Sequence, residues 1–280
     1  MERFLSLPFY LCAIGLIFSC QTVSSDQQNS ERVKEAGPSP DQLIVVSVEE
    51  WSDFQGVLQA FERNDQGRWE EAFDAFPIVI GKNGLALGIH QLKGNQALKR
   101  EGDLKTPAGM FSIGSAFGYA PKPLPGINLS YHPVTAQTMC IEDTASQFYN
   151  QILEEDEVQA DWSSTDRMLR KDNLYEWGFF LNHNSPDAVP QAGSCIFFHI
   201  WRGADRGTAG CTAMSPENMI KLLEWIDPQK HPVVIQAPRS EALFFPSIPT
   251  VDSLANSSLD LIRMGGFFQD SNRPVNQSGR

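Results

Sequence analysis

The chain lacks the features that would point to metals, nucleic acid or a scaffold held together by disulfides. It has five cysteines, Cys12, Cys20, Cys140, Cys195 and Cys211, and no two have Cys-x-x-Cys spacing. That excludes a zinc ribbon and a disulfide-dense framework. The five histidines, His90, His132, His183, His199 and His231, fall at no metal-ligand spacing, so no metal is expected. Lys and Arg number 22 against 34 Asp and Glu, and the cations form no basic stripe. Nucleic acid is thereby excluded as a partner, because neutralising phosphates takes clustered cations. No apolar run reaches the roughly 20 residues of a comfortable membrane span. No internal repeat is present.

What is there suits a globular core. Hydrophobic residues make up 41% and charged residues 20%, the balance of an ordinary soluble domain. The 21 glycines and 18 prolines imply many turns and favour a β-rich architecture over a helical bundle. The length, 280 residues, leaves room for one large domain or two small ones once a targeting segment is removed.

Residues 4–18 (FLSLPFYLCAIGLIF) follow Arg3 and read as a signal peptide. Leu16-Ile17-Phe18-Ser19-Cys20 resembles the bacterial lipobox, which implies cleavage before Cys20 and lipid on its sulfur. Gln21 after the cysteine resembles the outer-membrane sorting pattern. The expectation is a periplasmic protein, lipid-anchored to the cell envelope. The alternatives are a plain signal peptide cut slightly later or an uncleaved anchor. Residues 21–40 are polar, lack aromatics and read as a flexible tether. The expected organisation is a signal segment over 1–20, the tether over 21–40, a folded domain over 41–238 and a partly disordered extension over 239–280.

Within the folded part, Leu43–Val48 is a β-branched run and predicts a strand. Gly56–Arg63 and Arg68–Phe73 flank Asn64-Asp65-Gln66-Gly67, which is hairpin chemistry. Phe76–Ile80 predicts a further strand, and residues 85–120 predict short strands and loops. Residues 141–173 predict one or two helices. Leu174–Asn182 and Ser194–Ile200 read as strands, the second buried on both faces. Ser215-Pro216-Glu217 opens a helix that Asp227-Pro228 stops, and Pro232–Ala237 is the last strand.

The chemistry concentrates in Ser194–Met214, SCIFFHIWRGADRGTAGCTAM. A hydrophobic strand ends in His199, a Gly-bearing loop follows, and Thr208-Ala209-Gly210-Cys211 comes next. A strand end holds an imidazole rigidly, and the loop can return Cys211 to it. Gly210 permits a backbone turn with positive φ and close approach of a carbonyl substrate. Cys211 is the candidate nucleophile and His199 its base, with a neighbouring His⁺ expected to lower the thiol pKa. The backbone N–H groups of Gly210 and Cys211 are candidate oxyanion donors. The alternative reading is a buried thiol and a structural histidine.

These residues resemble the L,D-transpeptidase catalytic domain family, which carries a His at a strand end followed by Ser/Thr-x-Gly-Cys. Gly102-Asp103-Leu104-Lys105-Thr106-Pro107-Ala108-Gly109-Met110-Phe111 is similar to the family's GD-x-x-TP-x-G-x-F stretch. Met139-Cys140-Ile141-Glu142-Asp143 and Tyr149-Asn150 resemble a segment of one branch. The resemblance covers about residues 76–238. It implies a mainly β (α+β) fold, a mixed β-sandwich with a few short helices. It also implies cysteine acyl transfer on peptidoglycan stem peptides without a cofactor, with a backbone carbonyl orienting the His. Where many members carry Arg two residues after the nucleophile, this chain has Ala213.

Thr208, Asp143, Tyr149 and Asn150 are candidates to contact substrate, with turn, loop and helix surface as the alternatives. Asp103 and Thr106 are expected to fix a turn, and the other histidines to be structural or on the surface. Cys140 and Cys195 are either paired or two buried thiols. Hydrolysis of the same thioester (an L,D-carboxypeptidase or an amidase) and a non-catalytic wall-binding lipoprotein are the competing functions. The oligomeric state is left open.

Overall fold

The computed structural model describes residues 39–89 and 96–242. The signal segment, Cys20, all but the end of the tether, His90 and the extension beyond residue 242 lie outside the described residues.

The described chain is mostly strand. In order come β1 (Gln42–Val48), β2 (Gln55–Arg63), β3 (Trp69–Val79), β4 (Leu85–Leu87), β5 (Thr106–Gly118) and β6 (Tyr131–Pro133). Then follow β7 (Thr138–Ile141), β8 (Ile152–Glu154), β9 (Thr165–Arg167), β10 (Trp177–Leu181), β11 (Phe197–Ile200) and β12 (Thr212–Met214). Helix α1 (Pro216–Trp225), strand β13 (Val233–Pro238) and the single turn α2 (Arg239–Ala242) complete it. The mainly β expectation holds, with few and short helices.

A ten-stranded sheet runs β10-β11-β12-β3-β2-β1-β13-β5-β4, with β6 beside β5. β10 also pairs with β5, so the sheet closes on itself. Closure reduces the exposed edges that β-proteins must otherwise protect, leaving the three-residue β4 and β6 each paired to β5 alone among the strands. The sheet is mixed: β1–β13, β11–β12, β4–β5 and β5–β6 are parallel. β1 is covered on both faces, which is why it reads as a continuous run rather than an alternation.

The structure corrects three sequence expectations. Phe76–Ile80 is not a separate strand: β3 runs on from the hairpin and pairs with β2 from Arg63↔Trp69 to Gln55↔Val79, with irregular register around Ala60. The bulges hide its continuity from a simple alternation count. Residues 106–118 form one long strand rather than short pieces. Residues 141–173 form no helix. Asp143 Oδ1 accepts the Ala145 N–H and Ser146 Oγ accepts the Phe148 N–H, at 2.9 and 3.0 Å. Such local side-chain bonds compete with helix formation. The segment instead supplies β8 and β9, which flank β7 in a second, three-stranded sheet.

α1 follows its sequence signals. Ser215 Oγ accepts the Asn218 N–H at 3.3 Å, Pro216 occupies the first turn, and Met219, Leu222 and Leu223 are buried. These side chains join Phe179, Phe198 and Ile200 in the main core. Strand β11 therefore has two buried faces. Phe198 and Ile200 face that core, while Phe197 packs with Phe117, Tyr175, Cys195 and Cys211 on the other side. Cys140 and Cys195 form a disulfide, which settles the alternative left open above and joins β7 to the segment entering β11.

Candidate active site

Parallel pairing brings the two chemical residues together. β11 and β12 register Phe198 against Thr212 and His199 against Ala213. One step back, the Phe197 N–H donates to Cys211 Sγ at 3.3 Å. Cys211 and His199 thus project from adjacent strands on the same face, one pleat apart. Among the described residues no hydrogen bond joins thiol to imidazole. The thiol donates to the Cys195 carbonyl at 3.5 Å.

The loop before Cys211 is pinned by two hydroxyls. Thr208 Oγ1 accepts the Gly210 N–H at 3.1 Å and donates to the Cys211 carbonyl at 2.6 Å. Thr106 Oγ1 accepts the Gly81 N–H at 2.8 Å and donates to the Gly210 carbonyl at 2.7 Å. Gly210 has φ +151°, and a Cβ there would lie 3.1 Å from the Lys105 carbonyl oxygen. The turn needs glycine on both counts.

His199 Nδ1 lies 2.7 Å from the Ile200 carbonyl oxygen. Only a protonated Nδ1 can donate there, so the Nε2 lone pair is the basic site of the ring. The chain just after His199 supplies the orienting carbonyl, as the resemblance implied. Burial pulls the imidazole pKa down to about 4, partly opposed by the bond to Ile200. Burial pushes the thiol up to about 12 against the Phe197 N–H, and the carboxylates of Asp166 and Glu142 add to the rise. This reverses the expected sign. The resting pair is a neutral thiol and a neutral imidazole, because desolvation disfavours both charged forms.

Cys211 opens onto a cleft of about 530 Å³. Lys99 and the carboxylates Glu101, Glu142, Asp143 and Asp166 line it. Burial raises the Glu142 carboxyl to about 7, with Asp166 and Glu101 adding to it. The Lys99 ammonium is 2.7 Å from Asp103 Oδ1. Asp103 also accepts the backbone N–H groups of Arg100 and Lys105, so it fixes the turn as expected.

The other predicted site residues divide. Asp143 lines the cleft, and its carboxylate accepts the Ala145 and Ser163 N–H groups and the Ser163 hydroxyl. Asn150 does not reach a substrate. It is buried, donates to the His183 and Asn184 carbonyls and accepts the Cys195 N–H at 2.8 Å. It is a clip between loops, with φ 64°, a conformation that Asn tolerates. Tyr149 is buried too, and its hydroxyl donates to Glu101 Oε2 at 2.5 Å. It reaches the cleft through that carboxylate, which also accepts the Ser194 hydroxyl at 2.7 Å. Thr208 braces the turn before Cys211 rather than lining the cleft. The Gly210 N–H, expected as an oxyanion donor, already serves Thr208, which leaves the Cys211 N–H as the donor candidate. Ala213 is fully buried between His199 and Val79 in the sheet, so a long cationic side chain has no place there. His183 is buried and structural, its Nε2 2.9 Å from the Ala192 carbonyl oxygen.

Two residues escaped the sequence reading. Tyr175 sits in the turn before β10, its ring 5.1 Å from that of His199 in an edge-on contact. Its hydroxyl donates to Asp166 Oδ2 at 2.5 Å, and both residues line the cleft. Nothing in their local sequence marks them, because chain reversal and sheet pairing bring them to Cys211.

Neither the curated proteins nor the solved structures contain a match to this chain. The model of the L,D-transpeptidase catalytic domain (YkuD) matches residues 57–235. That span holds every side chain of the cleft, both halves of the Cys211–His199 pair and the Thr106 brace. It is more than half of the chain, and the chain belongs to the L,D-transpeptidase catalytic domain family.

Proposed function

We propose that this chain is a cysteine acyltransferase acting on peptidoglycan stem peptides. The observation that carries the reading is the placement of Cys211 and His199 on one face of a parallel strand pair, with the thiol opening onto the cleft. The attacked bond is the one between the L-centre of meso-diaminopimelate and a terminal D-residue.

His199 Nε2 takes the thiol proton as Sγ attacks the scissile carbonyl carbon. With a resting thiol near 12 and an imidazole near 4, proton transfer accompanies attack rather than preceding it. The Cys211 N–H faces the developing oxyanion. Collapse breaks the C–N bond, and the His199 proton leaves with the amine. An acceptor amine then attacks the thioester and gives its proton to His199, which returns it to sulfur as the new amide forms. Water in place of the amine gives carboxypeptidase or amidase action.

The test is intact-protein mass spectrometry with a carbapenem, together with tetrapeptide muropeptide turnover. Wild type should gain an adduct and consume the tetrapeptide, and Cys211→Ala should do neither. Amine incorporation separates transfer from hydrolysis.

The raised thiol pKa specifically favours a second reading, a wall-binding protein with an inert cysteine, since buried structural thiols behave this way. Muropeptide binding without turnover, identical in wild type and Cys211→Ala, would establish it.

We further propose that the chain reaches its substrate from a lipid on Cys20, through the tether of residues 21–40, at the periplasmic face of the outer membrane. Residues 239–280 form an extension of this 41–238 catalytic domain. Radiolabelled palmitate should enter wild type and not Cys20→Ala, and fractionation assigns the membrane.

A further inference from the structure

We propose that Tyr175, anchored by Asp166, is a positioning residue that holds His199 and Cys211 in working alignment. The inference rests on the acyl-transfer reading of Cys211 and assigns that site a support.

Tyr175 is held from several directions. The Leu174 carbonyl accepts the Ile200 N–H at 3.1 Å, which ties the turn beside the end of β11. The Tyr175 hydroxyl donates to Asp166 Oδ2 on β9. The Arg170 guanidinium lies over its ring, 5.1 Å from the centroid. Arg170 is fixed in turn by Asp172 at 2.9 Å and Asp166 at 3.4 Å. The ring then meets His199 at 5.1 Å and Phe197 at 5.4 Å, both edge-on. Phe197 is the residue whose N–H contacts Cys211 Sγ.

One aromatic ring therefore touches the base directly and the nucleophile through one neighbour. The bond from His199 Nδ1 to Ile200 fixes one edge of the imidazole and leaves rotation about that bond to packing. Tyr175 supplies the packing. Its hydroxyl proton is spent on Asp166, so the group acts by holding position and not by donating to substrate. Without the anchor the phenol can shift along the cleft, and the imidazole with it. A misplacement of about 1 Å costs on the order of a hundredfold in rate.

Three variants test this. Tyr175→Phe keeps the ring and removes the hydroxyl. Asp166→Ala removes the acceptor, whereas Asp166→Asn keeps one acceptor oxygen for the Tyr175 hydroxyl but loses the charge and turns the atom facing Arg170 into an N–H donor. Turnover of tetrapeptide muropeptides is measured, with melting temperatures as the control for folding. Tyr175→Phe and Asp166→Ala should each lower kcat by about tenfold or more with KM within about twofold. Asp166→Asn should recover most of the loss. Wild-type kcat in Tyr175→Phe, or equal losses in the two Asp166 variants, overturns the proposal. If Tyr175→Phe does not fold, the two Asp166 variants decide. If wild type itself turns over no muropeptide, the acyl-transfer reading fails. Positioning is then read from Cys211 alkylation by iodoacetamide, where Asp166→Ala and Asp166→Asn, equal in charge, should differ severalfold. Equal alkylation rates would overturn it.

Discussion

The Thr106 hydroxyl donates to the Gly210 carbonyl at 2.7 Å across 104 residues of sequence, and so joins the two motifs that mark this chain. The same oxygen accepts the Gly81 N–H. Thr106→Val keeps the shape and strands both backbone groups in a buried site. Each such group costs about 1–3 kcal/mol. The variant should lose about 3 kcal/mol of stability and most of its turnover, whereas Thr106→Ser should stay within about 1 kcal/mol. Denaturant titration of the two variants checks the difference, and equal midpoints would show that the brace is dispensable.

The Cys140–Cys195 disulfide closes a sequence separation of 55 residues and ties the small sheet to the strand that carries His199. A loop of that length is worth about 4 kcal/mol in the chain-entropy description. Dithiothreitol should therefore lower the melting temperature of wild type and leave that of the Cys140→Ser, Cys195→Ser double variant unmoved. A wild-type melting curve indifferent to reductant would count against a closed disulfide.

Alkylation of Cys211 should be slow at neutral pH and rise only in the alkaline range. Burial lifts the thiol to about 12, the Phe197 N–H opposes this, Asp166 and Glu142 add to it, and Lys99 subtracts. Replacing Asp166 by Asn takes one negative charge away from the thiolate. Its midpoint should move to lower pH, as iodoacetamide rates followed by mass spectrometry will show. A midpoint that stays or rises contradicts the assignment of Asp166 as a charge facing the sulfur.

Acid should destabilise the fold between about pH 6.5 and 4. His183 and His199 are both held near 4 by burial, against a usual value of 6.5. A depressed folded pKa gives stability that is present above the unfolded value and lost as pH falls through the folded one. Each histidine is worth roughly 3 kcal/mol across that window. Glu142, raised to about 7, acts in the opposite sense, because the fold takes up its proton more readily. His183→Gln should flatten the acid limb of melting temperature against pH. An unchanged limb would place the acid sensitivity elsewhere.

Much of this molecule was legible one segment at a time. β1, the hairpin turn, the capped helix α1 and β13 each follow from local chemistry: β-branched runs, Asn and Gly in a turn, Ser-Pro-Glu at a helix start. The meeting of Cys211 with His199 and the glycine turn at Gly210 were readable for the same reason, because a strand-end His and a Gly-Cys turn lie 12 residues apart in one continuous stretch, whereas the bond that occupies the Gly210 N–H was not. Residues 141–173 were misread because their polar side chains bond the nearby backbone, and composition alone does not separate such turns from a surface helix.

Other features exist only in the folded chain. Closure of the sheet through the β5–β10 pair, the Cys140–Cys195 bond and the Thr106 brace depend on residues tens of positions apart or more. Asn150 looked like a groove residue until its amide was found spent on three backbone groups. The charge state of the site was decided last. Sequence placed a base near a thiol and suggested an ion pair. Only the depth of burial, set by the packing of Tyr175, Phe197 and the strands around them, makes the neutral pair the resting form, since desolvation is a property of surroundings that no local motif encodes.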